Sequence, residues 1–284
     1  AFLYLGGPEG LAASPILQLT SPHSGDDFGA SLWLGDLDGD GWNELLVGAP
    51  DALGPRTAGG AAQRVGAVIV YRGAAELGGE GTPWLTLRGS EANARFGEAL
   101  ALGDLRGDGA AELIVGAPAS AGGAGAVHLF TGHAEFSDDP ASAVLAAEGA
   151  HDRLGAALAT GDIDGDGRLE LVVGAPEWNG TGRAYLFRLA DGLGQRHAGE
   201  AEAELVAPSG SAAGFGSAVA LVDVDGNGRA DLVITAPGTS DAPGHVYIFA
   251  SERAERGPLV EQADGVLRGR SANERLGSGA SIDR

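Results

Sequence analysis

Short apolar bursts separated by glycine-rich polar stretches run the length of this chain, and their internal period is two rather than 3.6. In FGASLWLGD, Ala30, Leu32 and Leu34 fall on alternate positions and the run closes on a glycine, which predicts a half-buried strand. ELLV at 44–47 is apolar on both faces and is stopped by Gly48 and Pro50, which predicts a brief, buried second strand. A polar, glycine-rich stretch from Asp51 to Arg64 separates it from AVIVY at 67–71, a β-branched third strand. WLTL at 84–87 reads as an alternating fourth. No segment carries the helical period.

The same order recurs three times. ALALGD, ELIVGAP, AVHLF and AVLAA make a second unit, and AALATGD, LVVGAP, AYLF and AELVA a third; SAVALVD, DLVITAP, HVYIF and GVLRG make a fourth. An acidic loop precedes the second strand each time, beginning at Asp36, Asp104, Asp162 and Asp223, so the period is about 60 residues and the chain is an array. Four short strands per unit, with the inner ones apolar on both faces, require every small sheet to be covered by its neighbours. That predicts an all-β chain, a β-propeller of four-stranded antiparallel blades. The repeats span approximately 28–89, 96–149, 154–208 and 215–269. Ala1 to Leu5 matches a third strand and Ile16 to Thr20 a fourth, while RLGSGASI matches a first strand, so partial blade pieces are expected at 1–20 and 275–284. Split pieces leave edges that must be covered. The expectation is one propeller domain over 1–284, or a fragment of a larger ring, with other chains as candidates to complete the split blades.

The loops carry the candidate chemistry. In DLDGDGWNE, carboxylates fall at positions one, three, five and nine, as Asp36, Asp38, Asp40 and Glu44, and the Trp42 carbonyl stands at position seven. Alternating acids on a glycine-turned loop supply the several hard oxygen ligands that calcium takes. An EF-hand would need its bidentate acid at position twelve, where this chain has Val47 and Val173, so the loop is of another kind. The third loop repeats the set with Asp162, Asp164, Asp166, Glu170 and the Arg168 carbonyl, and the fourth with Asp223, Asp225, Asn227, Asp231 and the Arg229 carbonyl. The second keeps Asp104, Asp108 and Glu112 but puts Arg106 at position three, which predicts a weak or absent metal site there. About three structural calcium ions are therefore expected.

Phe28-Gly29, the loop from Asp36 to Glu44, and Gly48-Ala49-Pro50 stand in the order of the FG-GAP repeats of integrin α subunits and their bacterial relatives, and the chain resembles that family over nearly its whole length. The resemblance implies a β-propeller, usually of seven blades, which this length does not complete. It also implies calcium loops on one face and ligand on the other. Trp178 and the stretch from Asp51 to Arg64 would project from that second face, which makes Trp178 a candidate ligand contact, although a loop packing its tryptophan on the neighbouring blade is an equal alternative.

Composition narrows the rest. A net charge of −21 makes nucleic acid a poor partner, since phosphate binding needs clustered cations. No run is long and apolar enough to span a bilayer, and with no cysteine the redox compartment is illegible. All 18 cations are arginine, which with abundant alanine and glycine points to a GC-rich bacterial genome. With no methionine, the chain is expected to have been processed, trimmed or expressed as part of something longer. The six histidines are scattered, and no nucleophile-elbow or phosphate-loop motif accompanies them, so a non-catalytic protein is expected. Arg106-Gly107-Asp108 is read as an accident of the degenerate second loop, and Asn179-Gly180-Thr181 as an uninformative glycosylation match. The expected function is a secreted or surface-displayed, calcium-stabilised adhesion or recognition propeller for protein or glycan. A structural subunit of a larger surface assembly and an accessory domain of a multidomain hydrolase are the alternatives.

Overall fold

The computed structural model of the chain describes residues 1–8, 10–21, 23–55, 61–73, 81–132, 141–147, 149–189, 194–206, 213–238, 243–251, 263–271 and 274–278. Near the N-terminus, β1 (Phe2–Leu3) pairs antiparallel with β4 (Leu17–Gln18), and the small hairpin β2 (Gly6–Gly7) with β3 (Gly10–Leu11) lies between them. Blade one is β5 (Leu32–Gly35), β6 (Glu44–Ala49), β7 (Ala67–Tyr71) and β8 (Leu85–Arg88). Blade two is β9 (Leu100–Gly103), β10 (Glu112–Ala117), β11 (Ala126–Phe130) and β12 (Ala143–Ala146). Blade three is β13 (Ala157–Gly161), β14 (Glu170–Ala175), β15 (Arg183–Phe187) and, after the short β16 (Arg196–His197), β17 (Ala203–Val206). Blade four is β18 (Val219–Val222), β19 (Asp231–Ala236), β20 (His245–Phe249) and β21 (Gly265–Arg268). Within every blade the strands meander antiparallel in sequence order. This is the propeller expected from the repeat.

Three details differ from the pattern reading. The second strands run through the Gly-Ala pair, because that pair still bonds across the ladder: Gly48 pairs with Val68 and Ala49 with Ala67. β16 adds to blade two rather than blade three, pairing in parallel with β12 through Leu145 opposite Arg196, so a segment of the next repeat covers an outer edge. A tight turn at 120–123, with left-handed backbone at Ala121 and Gly122, follows the second Gly-Ala-Pro. Of the expected C-terminal first strand, residues 279–284 lie outside the described residues, and 274–278 form a turn.

The core lies between blades rather than within them. Leu46, Val68, Val70 and Leu87 of blade one pack with Leu100, Leu113 and Val115 of blade two, and equivalent clusters join blades two to three and three to four. The Phe-Gly turn is the connector. Phe96, Leu154 and Phe215 bridge to Gly66, Gly125 and Gly182 of the preceding blade and are at most 2% exposed. Burying a side chain of this size contributes about 1.5–3 kcal/mol. The Gly-Ala-Pro glycine serves the same contact from the other side: a Cβ on Gly48, Gly116 or Gly174 would stand 2.1 Å from the carbonyl oxygen of Gly97, Gly155 or Gly216 in the next blade. The first strands of all four blades line a central cavity of about 770 Å³. The acidic loops, which join first to second strands, therefore gather at one end of the blades, and the loops joining second to third strands at the other.

Candidate metal centre

Each acidic loop folds the same way because its own carboxylates satisfy its own amides. Asp36 accepts from Gly39 N–H at 2.7 Å and Gly41 N–H at 2.9 Å, one on each oxygen. Asp104, Asp162 and Asp223 accept from Gly107 and Gly109, Gly165 and Gly167, and Gly226 and Gly228 in the same manner. The turn needs left-handed backbone at positions four and six, with φ of 77° and 90° at Gly39 and Gly41, which glycine adopts without strain. The acid at position nine opens the second strand and is buried: Glu44, Glu112, Glu170 and Asp231 accept the position-two N–H from Leu37, Leu105, Ile163 and Val224 at 2.8–3.0 Å. It thereby staples loop to strand.

Carboxylate oxygens converge in three of the four loops. Asp36, Asp38 and Asp40 each offer an oxygen within 4.8 Å of the others, as do Asp162, Asp164 and Glu170, and Asp223, Asp225 and Asp231. These clusters could hold a metal ion, and an all-oxygen set with no sulfur or imidazole suits a hard cation such as calcium. Asp166 accepts from Arg168 N–H and Asn227 Oδ1 from Arg229 N–H at 2.8 Å, so position five holds position seven in place. Burial raises the Glu170 carboxyl to about 7, against the Ile163 amide that lowers it and with Asp164 adding to the rise. Burial likewise raises Glu44 and Glu112. Asp223 is lowered instead, first by the Gly228 amide. A divalent cation would offset the cost of ionising the buried acids.

In the second loop a guanidinium stands among the acids. Arg106 Nε donates to Glu112 Oε1 at 2.9 Å and its Nη2 lies 2.7 Å from Asp108 Oδ2. The same three residues that spell Arg-Gly-Asp are thus tied to their own loop. Two further arginines, which the sequence reading did not single out, reach loops one and three from the ends of third strands. Arg72 Nη2 lies 2.7 Å from Asp38 Oδ2, and Arg188 Nη2 lies 3.2 Å from Asp164 Oδ2. The only local signal for them was a cation directly after AVIVY and AYLF.

Away from the loops, Trp178 sits in a 3-10 turn, half-buried against the core between blades two and three, with the Arg183 guanidinium 3.5 Å from its ring centroid. Arg64 closes the stretch after the first Gly-Ala-Pro by donating to the carbonyls of Asp51 and Gly25; residues 56–60 of that stretch lie outside the described residues. His128 packs edge-on against Phe96, and burial lowers its pKa.

The FG-GAP repeat family matches residues 28–71, 96–130, 154–187 and 215–249. Integrin alpha-5 of Xenopus laevis is 39% identical over 155 residues, which is 52% of this chain and 14% of that protein. Integrin alpha-IIb of Homo sapiens is 31% identical over 225 residues, 75% of this chain and 20% of that protein. The chain thus spans at most about a fifth of these relatives. Among solved structures, rhamnogalacturonan lyase YesW is 15% identical with a TM-score of 0.44, covering 95% of this chain and 52% of that one. No helix among the described residues is long and apolar enough to cross a membrane.

Proposed function

Because this chain belongs to the FG-GAP repeat family, we propose that it is a calcium-stabilised, extracellular recognition or adhesion propeller that binds protein or glycan through its loops and performs no catalysis. The observation that carries the reading is that on one recurring backbone path three loops each converge three carboxylates, at positions one, three and five in the first and at one, three and nine in the third and fourth. Asp36, Asp38, Asp40 and Glu44, then Asp162, Asp164, Asp166 and Glu170, then Asp223, Asp225, Asn227 and Asp231 would be the side-chain ligands, with the carbonyls of Trp42, Arg168 and Arg229. Carboxylate-rich loops of this kind suit calcium better than magnesium, which demands a stiffer octahedron. Calcium outside cells is abundant enough to fill sites of modest affinity, which supports a surface or secreted location. Calcium would hold the blade ends, leaving the opposite face for a partner.

Calorimetric titration of the chelator-stripped chain tests this directly. Three calcium equivalents are expected, reduced to two by Asp164→Asn or by Asp225→Asn. A flat titration, or one in which magnesium binds more tightly than calcium, would sink the proposal. Recognition is tested on a glycan array and on immobilised extracellular proteins, probed with labelled chain in calcium and in chelator. Capture in neither condition would remove the recognition part.

A further inference from the structure

The residue that follows the third strand is Arg72 in blade one, Thr131 in blade two, Arg188 in blade three and Ala250 in blade four. Where it is arginine it enters the acidic loop at position three. That carboxylate divides its oxygens: Oδ1 of Asp38 and of Asp164 accepts from the N–H of Asp40 and Asp166, and Oδ2 receives the guanidinium. The Asp38 side chain is 3% exposed, so its charge is poorly hydrated and the guanidinium is its main compensation. Each arginine also touches a second station outside the acid cluster. Arg72 lies 4.1 Å from the Trp84 ring centroid, and Arg188 Nη1 lies 4.0 Å from Glu202 Oε1. Blade two reaches a similar charge arrangement with Arg106, supplied by the loop itself.

We infer that Arg72 and Arg188 are resident counter-cations of loops one and three, which occupy the position-three carboxylate without metal and yield it to calcium. The inference rests on the calcium reading above. Two cations drawn to one carboxylate a few ångströms apart repel each other strongly in a partly buried site. Calcium entry therefore has to push the guanidinium towards its outer station, the Trp84 face or Glu202, either of which can hold it. Loops one and three consequently bind calcium more weakly than their four acids would alone, and they keep their fold when calcium is scarce. Loop four has Ala250 in the arginine's place and no such strand-three cation among the described residues, and it is the loop that responds first to metal. The opposite role, in which the arginine only orients Asp38 for the ion, predicts the reverse effect on affinity.

The full chain is stripped with chelator and titrated with calcium alone by calorimetry, as wild type, Arg72→Gln, Arg188→Gln and Arg72→Lys, with melting followed in chelator and in saturating calcium. Each glutamine variant should tighten one binding event by about tenfold, while Arg72→Lys, which keeps the charge, should stay near wild type. Each glutamine variant should also melt lower than wild type in chelator, and that difference should close in saturating calcium. A purely structural ion pair would lower both melts. Calcium binding in wild type with unchanged or weaker affinity in the glutamine variants overturns the counter-cation role alone. An absence of binding heat in every protein overturns the calcium reading and this inference with it.

Discussion

The sign of charge at position three separates the second acidic loop from the other three. Position three is Asp38, Asp164 or Asp225 in three loops and Arg106 in the second, yet the backbone path is the same, because Asp104 and Glu112 make the same amide bonds as their counterparts. The guanidinium has taken over charge compensation without disturbing the turn. Arg106→Asp should therefore create a fourth cluster, and calorimetry should register one additional calcium equivalent over wild type. An unchanged stoichiometry would show that the second loop differs in more than that side chain. Trp178 belongs to the same scale: Arg183 covers one ring face, and the side chain packs partly against the core between blades two and three.

At the scale of the strand and turn, the Phe-Gly and Gly-Ala-Pro motifs are two halves of one contact between successive blades. Gly155, at φ 88°, brings its carbonyl against Gly116 of the preceding blade, and a methyl group at 116 has no room. Gly116→Ala should destabilise by about 1–3 kcal/mol, as other over-packed sites do, measured by chemical denaturation. Gly194, with nothing near its would-be Cβ and no positive φ, provides the control, and alanine there should change stability by less than about 0.5 kcal/mol. Equal effects at the two positions would refute the close-approach account. Thr235 stands where the other repeats have that glycine, and a Cβ on Gly277 would lie 2.6 Å from Thr235 Cβ, so there the close approach is to a side chain.

Over the whole molecule, stability is distributed as a series of blade-to-blade clusters, each coupled to the next. A net charge of −21, part of it concentrated in loops at one end of the blades, adds self-repulsion to that series. Chelation should lower the melting temperature, and added sodium chloride should recover part of the loss by screening, whereas the calcium-loaded chain should respond less to salt. Melting curves that are indifferent to chelator at low salt would contradict this.

Strand positions, the four-fold repeat and the acid spacing were legible in the sequence because each depends on neighbours within a few residues: alternation sets the strand face, glycine permits the turn, and the carboxylates bond amides two to five positions on. The first strand pairs only from Leu32, although alternation starts at Ala30, since alternation alone does not mark where pairing begins. What lay out of reach joins distant parts of the chain. Arg72 meets Asp38 across 34 residues, Phe96 docks on Gly66 of another blade, and β16 pairs with a strand some fifty positions earlier. The blade, its loops and the loop with an arginine among its acids follow from local hydrogen bonding and period, and so can be read along the chain. Which cations stand among the acids, and how one blade's glycine admits the next blade's backbone, depend on approach through space and emerge with the folded chain.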